Sequence, residues 1–204
     1  MSGRLDTTKP LSEPGVGRLL GVSRVPVREA FQQLAAERLL VVVPRTGTFI
    51  APMTVEDVED VFDIRVALEV LALRLLPARL TDADRAELAA GVNAARRALA
   101  GGNLAEVGQL ARGFHRLLIE KAGSRRLREI FTALTNELHW LRAPDPRERL
   151  RRVERDHVLI AEAILRRRYD DAERRLVAHL EALRAAQVAQ ARQLSHVRLQ
   201  GGRS

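Results

Sequence analysis

The chain has 204 residues, a formal net charge of +8, no cysteine and only 3% aromatic residues. The lack of thiols excludes a disulfide framework and a thiolate metal site, and so few aromatics argue against a base-stacking surface for RNA or single strands. No apolar run reaches membrane-spanning length and the N-terminus has no apolar signal core, so a cytoplasmic protein is expected.

Charge is uneven along the chain: residues 1–52 carry +3, residues 53–146 carry −1 and residues 147–204 carry +6. A small basic leading segment suits a nucleic-acid module. Ser12 can cap a helix running to Leu20, in which Gly15 and Gly17 are each expected to cost about 1 kcal/mol relative to alanine. Gly21 ends that helix. Ser23 is a good N-cap for a second one running to about Glu37, with Pro26 harmless in its first turn. Val27, Ala30, Phe31 and Leu34 share one face and are expected to be buried, while Arg24, Arg28 and Gln32 lie on the other. Two guanidinium groups and an amide on one helical face suit the DNA major groove; an ordinary solvated surface helix has the same pattern. The β-branched run at Leu39–Val43, a turn over residues 44–47 and a returning strand over residues 48–50 complete a helix-turn-helix and hairpin, which is a winged-helix order.

The remaining chain reads as helix. Thr54 with Asp57 forms a capping-box start, and a long periodic helix runs to about Arg79. Further helices are expected over 82–100, 104–121, 125–142, 147–168 and 170–194, with residues 200–204 a disordered tail. Six helices with short links predict an antiparallel bundle. The domains are therefore expected at 1–52 and 53–199.

Three histidines fall on inward faces of different helices. His115 shares a face with Gly108, Ala111 and Leu118, His157 lies in the stripe Leu150, Val153, Ile160, Ile164, and His179 lies in Ala172, Leu176, Leu183. One such histidine reads as a hydrogen-bonded core residue. Three together point to a shared divalent transition metal such as Zn or Ni, with a metal-free pocket as the alternative. Arg65 lies on the apolar face of the long helix and needs a partner. Glu69, one turn on, can be that partner, or Arg65 can anchor an anionic effector. Arg142 flanks the same region by helix phase. No inward carboxylate is evident as a general base near the histidines, and no catalytic motif appears.

The chain resembles the GntR family of bacterial transcription regulators, in the FadR branch with a C-terminal FCD domain. The resemblance rests on Leu11-Ser12-Glu13, the run from Leu20 to Ala30, and the wing Pro44-Arg45-x-Gly47-x-Phe49. In the second domain it rests on Asp63-Ile64-Arg65-x-x-Leu68-Glu69, Phe114-His115, Asp156-His157 and His179. It implies a mainly α chain in which a winged helix-turn-helix precedes an FCD-like bundle, in a homodimer that binds double-stranded operator DNA. DNA contacts would come from Ser23, Arg24 and Arg28 on the recognition helix and from Arg45 and Gly47 at the wing. His115, His157 and His179 would hold a metal, and Arg65 and Arg142 a small carboxylate effector. The chain departs from the family pattern in four ways, one of them Arg38 where the family usually ends its recognition helix with glycine. The family's winged unit normally begins with a helix ahead of the Gly3-Arg4-Leu5 stretch, and this sequence is expected to start after it, either because the true start lies upstream or because the regulator is divergent. Pro14-Gly15-Val16-Gly17 replaces the usual arginine and Glu-Leu-Ala. Ala111 stands where a metal-binding aspartate is usual. The alternatives are an FCD-like dimeric interaction protein with a DNA module too short to bind, and a metal-dependent helical-bundle enzyme.

Overall fold

A computed structural model describes residues 10–37, 39–51, 54–138 and 147–201, with side chains described for all of these except 136–138 and 193–201. The chain divides into two compact units, Met1–Met53 and Thr54–Ser204.

In the first unit, α1 (Glu13–Leu20) starts at Ser12, whose side chain accepts from the Gly15 backbone N–H. It ends at Gly21, which takes the left-handed conformation at φ 68°. Helix α2 (Arg24–Ala36) follows. Strands β1 (Leu40–Val43) and β2 (Gly47–Ile50) pair antiparallel, Leu40 opposite Ile50 and Val43 opposite Gly47. Leu11 bridges to Thr48 on the outer edge of β2, its N–H 2.6 Å from the Thr48 carbonyl oxygen.

Three expectations for this unit are corrected. Gly17 is not a weak point of α1. A Cβ there would sit 2.9 Å from the Val22 carbonyl oxygen, so the bare backbone is what lets the turn into α2 close over α1. Ser23 occupies the N-cap position, but its hydroxyl makes no capping bond. Of the apolar face of α2, only Val27 is fully buried; Phe31 and Leu34 are half-buried and Ala30 is exposed. The small core gathers Val27, Leu40 and Ile50, while Leu19, Leu20, Val22 and Val25 remain exposed. A unit this small has too little interior to cover every apolar side chain.

The second unit is built of helices among the described residues: α3 (Val55–Arg79), α4 (Asp82–Gly101), α5 (Leu104–Lys121), α6 (Arg125–Leu138), α7 (Arg147–Leu165) and α8 (Tyr169–Gly201). Reciprocal capping boxes at Thr54/Asp57 and Thr81/Asp84 start α3 and α4. Gly102, left-handed at φ 67°, stops α4. Helix α7 ends three residues earlier than the pattern predicts. Arg167 turns left-handed at φ 57°, and the N–H groups of Arg167 and Arg168 return to the carbonyls of Ile164 and Ala163. Helix α8 continues to Gly201, past the expected start of a disordered tail, because its Ala, Gln, Arg and Leu run keeps high helix propensity. Residues 139–142, expected in α6, lie outside the described residues.

Helix α7 lies against α4, α5 and α8, and α3 lies against α5, α6 and α8. The main core gathers Leu73, Leu76, Phe114, Leu118, Ile160, Ile164, Leu176 and Leu180. Such continuous apolar burial fixes the rotation of α5, α7 and α8, and with it the direction of the one histidine each contributes.

Candidate functional site

His115 on α5, His157 on α7 and His179 on α8 are 8%, 2% and 3% exposed. Their Nε2 atoms form a triangle. His157 lies 3.2 Å from His115 and 3.0 Å from His179, and His179 lies 3.3 Å from His115. Phe114 stacks on the His157 ring at a centroid distance of 4.3 Å, which restricts its rotation.

Each ring has a carboxylate on its other nitrogen. Glu69 Oε2 lies 2.6 Å from His115 Nδ1, Glu154 Oε2 lies 3.2 Å from His157 Nδ1, and Asp156 Oδ2 lies 3.2 Å from His179 Nδ1. A ring that donates its Nδ1–H outward to a carboxylate presents its Nε2 lone pair inward. Burial pushes His115 down to about 4 and His157 well below its ordinary value, so both are neutral near pH 7. Three lone pairs at this spacing repel one another unless a cation lies among them. A Zn ion about 2.0–2.1 Å from each of three imidazole nitrogens sets those nitrogens roughly 3 Å apart. The donor set and its spacing therefore fit a divalent transition metal.

The expectation of no inward carboxylate near the histidines is corrected. Glu69 and Glu154 are 0% and 3% exposed. They face Nδ1 rather than the Nε2 triangle, so they orient rings. Burial raises the Glu154 pKa to about 7. Burial also works to raise Glu69, but His115 and the Arg65 guanidinium outweigh it and hold it at about 2. Arg65 Nε lies 2.6 Å from Glu69 Oε1, so the partner available on its own helix is the one it takes. Ala111 is buried on α5, one turn before His115. Arg142 lies outside the described residues.

Sequence reading missed the Nδ1 roles of Glu154 and Asp156. Glu154 precedes His157 by three residues, a spacing at which helical side chains meet, and that was the available signal. Asp156 stands beside His157 in the motif that carries the resemblance, but the ring it holds is that of His179, 23 residues on, which no local spacing shows.

On the first unit, Arg24 and Arg28 project from α2 with 63% and 53% of their side chains exposed. Glu13, the first residue of α1, has its Oε2 2.7 Å from Arg24 Nε and 3.6 Å from Arg28 Nε. The bond from Arg24 holds the Glu13 carboxyl below its ordinary range. At the hairpin, Thr46 N–H returns to the Val43 carbonyl at 3.1 Å. Pro44 and Arg45 are thus the central pair of a β-turn, and Arg45 is left-handed at φ 65°. That is the second central position of a type II turn, where glycine is usual. Gly47 has φ 137°, and a Cβ there would lie 2.8 Å from Pro10 Cβ.

The family model for bacterial regulatory proteins of the gntR family matches residues 1–50, and that for the FCD domain matches residues 60–182. The chain is 29% identical over 182 residues to the HTH-type transcriptional regulator YdhC of Bacillus subtilis, covering 85% of this chain and 80% of that one. It is likewise 29% identical over 179 residues to the transcriptional repressor RspR of Escherichia coli, covering 85% and 77%. The structure of E. coli McbR/YncC shares the fold, with a TM-score of 0.70, 23% identity and 89% of each chain covered. Neither an enzyme nor a regulator without DNA binding has support among these relatives. The chain belongs to the GntR family of bacterial transcription regulators, in the branch with an FCD domain: a DNA-binding regulator that joins a helix-turn-helix to a small-molecule-binding helical domain.

Proposed function

We propose that this protein is a homodimeric, cytoplasmic regulator whose operator binding responds to a small carboxylate through a metal-bearing FCD domain, and that it is not an enzyme. The observation that carries the metal reading is the triangle of three Nε2 atoms, each ring backed by a carboxylate on Nδ1. His115, His157 and His179 would hold a divalent Zn or Ni. When bound, the ion supplies a Lewis-acidic anchor for a carboxylate. Alanine at position 111 leaves the protein three ligands, so more of the coordination sphere is open to effector or water.

Arg65 Nε is taken by Glu69, and its Nη groups are the part that can meet an effector carboxylate. Arg142 is the second effector-binding candidate. Glu69 sits on α3, the first helix after the winged unit in sequence, so the ring it orients and that helix are bonded to each other. Effector control requires different effector affinity in two arrangements of the dimer.

For DNA, Arg24 and Arg28 offer exposed guanidinium groups from the first turns of α2. The Ser23 hydroxyl, which makes no capping bond, lies at that helix's N-terminus, where anions are favoured. Arg45 stands at the wing turn, with Gly47 allowing close approach. The double-stranded operator is tested by selecting duplexes from a random library. Sequence-selective binding that is lost in Arg28→Ala supports the reading; binding indifferent to both sequence and Arg28 refutes it. The metal is tested by elemental analysis after stripping and reloading with Zn or Ni. Stoichiometric uptake is expected, and its absence, or full uptake by His157→Ala, rules out the three-histidine site.

A further inference from the structure

An acid on a DNA-reading face is an electrostatic liability, because each carboxylate there repels the phosphate backbone. Glu13 is such an acid. It begins α1 and reaches the two arginines that begin α2, 2.7 Å from Arg24 Nε and 3.6 Å from Arg28 Nε. Surface ion pairs contribute little to folding, so stability gives a weak account of it. The geometry is more informative. The carboxylate meets both arginines at Nε, the inner nitrogen: Arg24 donates a hydrogen bond there, Arg28 forms only an ion pair at 3.6 Å, and among the described residues the outer Nη groups of neither have a bonded partner. A guanidinium held at Nε keeps its Nη pair aimed outward. That pair can grip two acceptors on one guanine edge without releasing Glu13.

Phosphate contact differs. On a duplex of any sequence, affinity comes from neutralising phosphates. One negative charge between two arginines removes part of that attraction wherever the protein lands. Only a site whose base edges satisfy the Nη pairs recovers the loss.

We propose that Glu13 is a specificity-determining positioning residue of the DNA-reading head. It orients Arg24 and Arg28 toward base edges and lowers their attraction to phosphate. The inference rests on the reading of α2 as the recognition helix.

The test uses the full chain and two probes: a duplex selected by the wild-type protein from a random library, and a random-sequence duplex of equal length. Binding is followed by fluorescence anisotropy between about 50 and 300 mM salt, the range in which counterion release is read. Glu13→Gln removes the charge and keeps an acceptor; Glu13→Ala removes both. Glu13→Gln is expected to bind the random duplex about tenfold more tightly, with a salt slope steeper by about one. The preference for the selected duplex falls by a similar factor, and further in Glu13→Ala. Loss of a merely structural role weakens binding to both duplexes in parallel, and that result overturns the proposal, as does a preference unchanged within about twofold. If the wild-type chain prefers no duplex, the recognition-helix reading falls and takes this inference with it.

Discussion

Glu69 Oε2 lies 2.6 Å from His115 Nδ1, and Glu69 Oε1 lies 2.6 Å from Arg65 Nε. One buried carboxylate thus neutralises an arginine and sets the direction of a histidine on another helix. Removing its charge has two consequences. Outer carboxylates raise the basicity of the rings they hold, so Glu69→Gln should lower Zn affinity about 10- to 100-fold in a competition titration against a chelator. It also leaves Arg65 without its counter-charge, which should destabilise the metal-free chain by about 3 kcal/mol in urea. Unchanged Zn affinity would show that the His115 ring is held by packing alone.

Acid should weaken the metal-free protein before it reaches the carboxylate range. His115 has an ordinary value of 6.5 and is pushed by burial to about 4 in the folded chain. The unfolded chain therefore takes up this proton first, and the stability present above about 6.5 is lost as pH falls toward about 4. Glu69, held at about 2 against an ordinary 4.5, adds a loss of the same sign below about 4.5. Glu154, raised to about 7 against an ordinary 4.5, works the other way between about 7 and 4.5, while His157, pushed well below 6.5, works with His115. Two histidines outweigh one acid, so urea midpoints of chelator-treated protein should fall from pH 7 to pH 4. A flat or rising profile across that window would contradict the neutral, buried state assigned to the two histidines.

Arg45 occupies a left-handed turn position at φ 65°. An L side chain there costs roughly 1 kcal/mol relative to glycine. Arg45→Gly should therefore raise the thermal midpoint of the winged unit while weakening DNA binding and reducing its salt slope by about one. Opposite movement of stability and binding is the diagnostic result. If binding is unaffected, the strained arginine has no DNA role.

Gly17 provides a second separation of local from tertiary effects. Alanine is the better helix former by about 1 kcal/mol, yet its Cβ would lie 2.9 Å from the Val22 carbonyl oxygen. Gly17→Ala should destabilise the unit by about 1–3 kcal/mol in thermal unfolding, because the turn into α2 must shift. A stabilised variant would mean that the turn gives way at little cost.

The division between what was legible in sequence and what was not follows the range of the forces involved. Helix starts at Ser12, Thr54 and Thr81 were legible because a cap and its partner lie three residues apart. The wing was legible because a β-branched run, Pro44 and Gly47 bring a hairpin with them. The inward faces of His115, His157 and His179 were legible because helical period places each in an apolar stripe. Tertiary structure alone decided that the three Nε2 atoms converge, since His115 and His179 are 64 residues apart and their meeting depends on how α5, α7 and α8 rotate against one core. It also decided that Glu69 holds His115 as well as Arg65, that Asp156 holds His179, and that Ala30 is exposed. Periodicity names the face a side chain occupies. Which atom meets which depends on packing between helices distant in sequence, and in this chain that packing turns three inward histidines into one cluster of converging ring nitrogens.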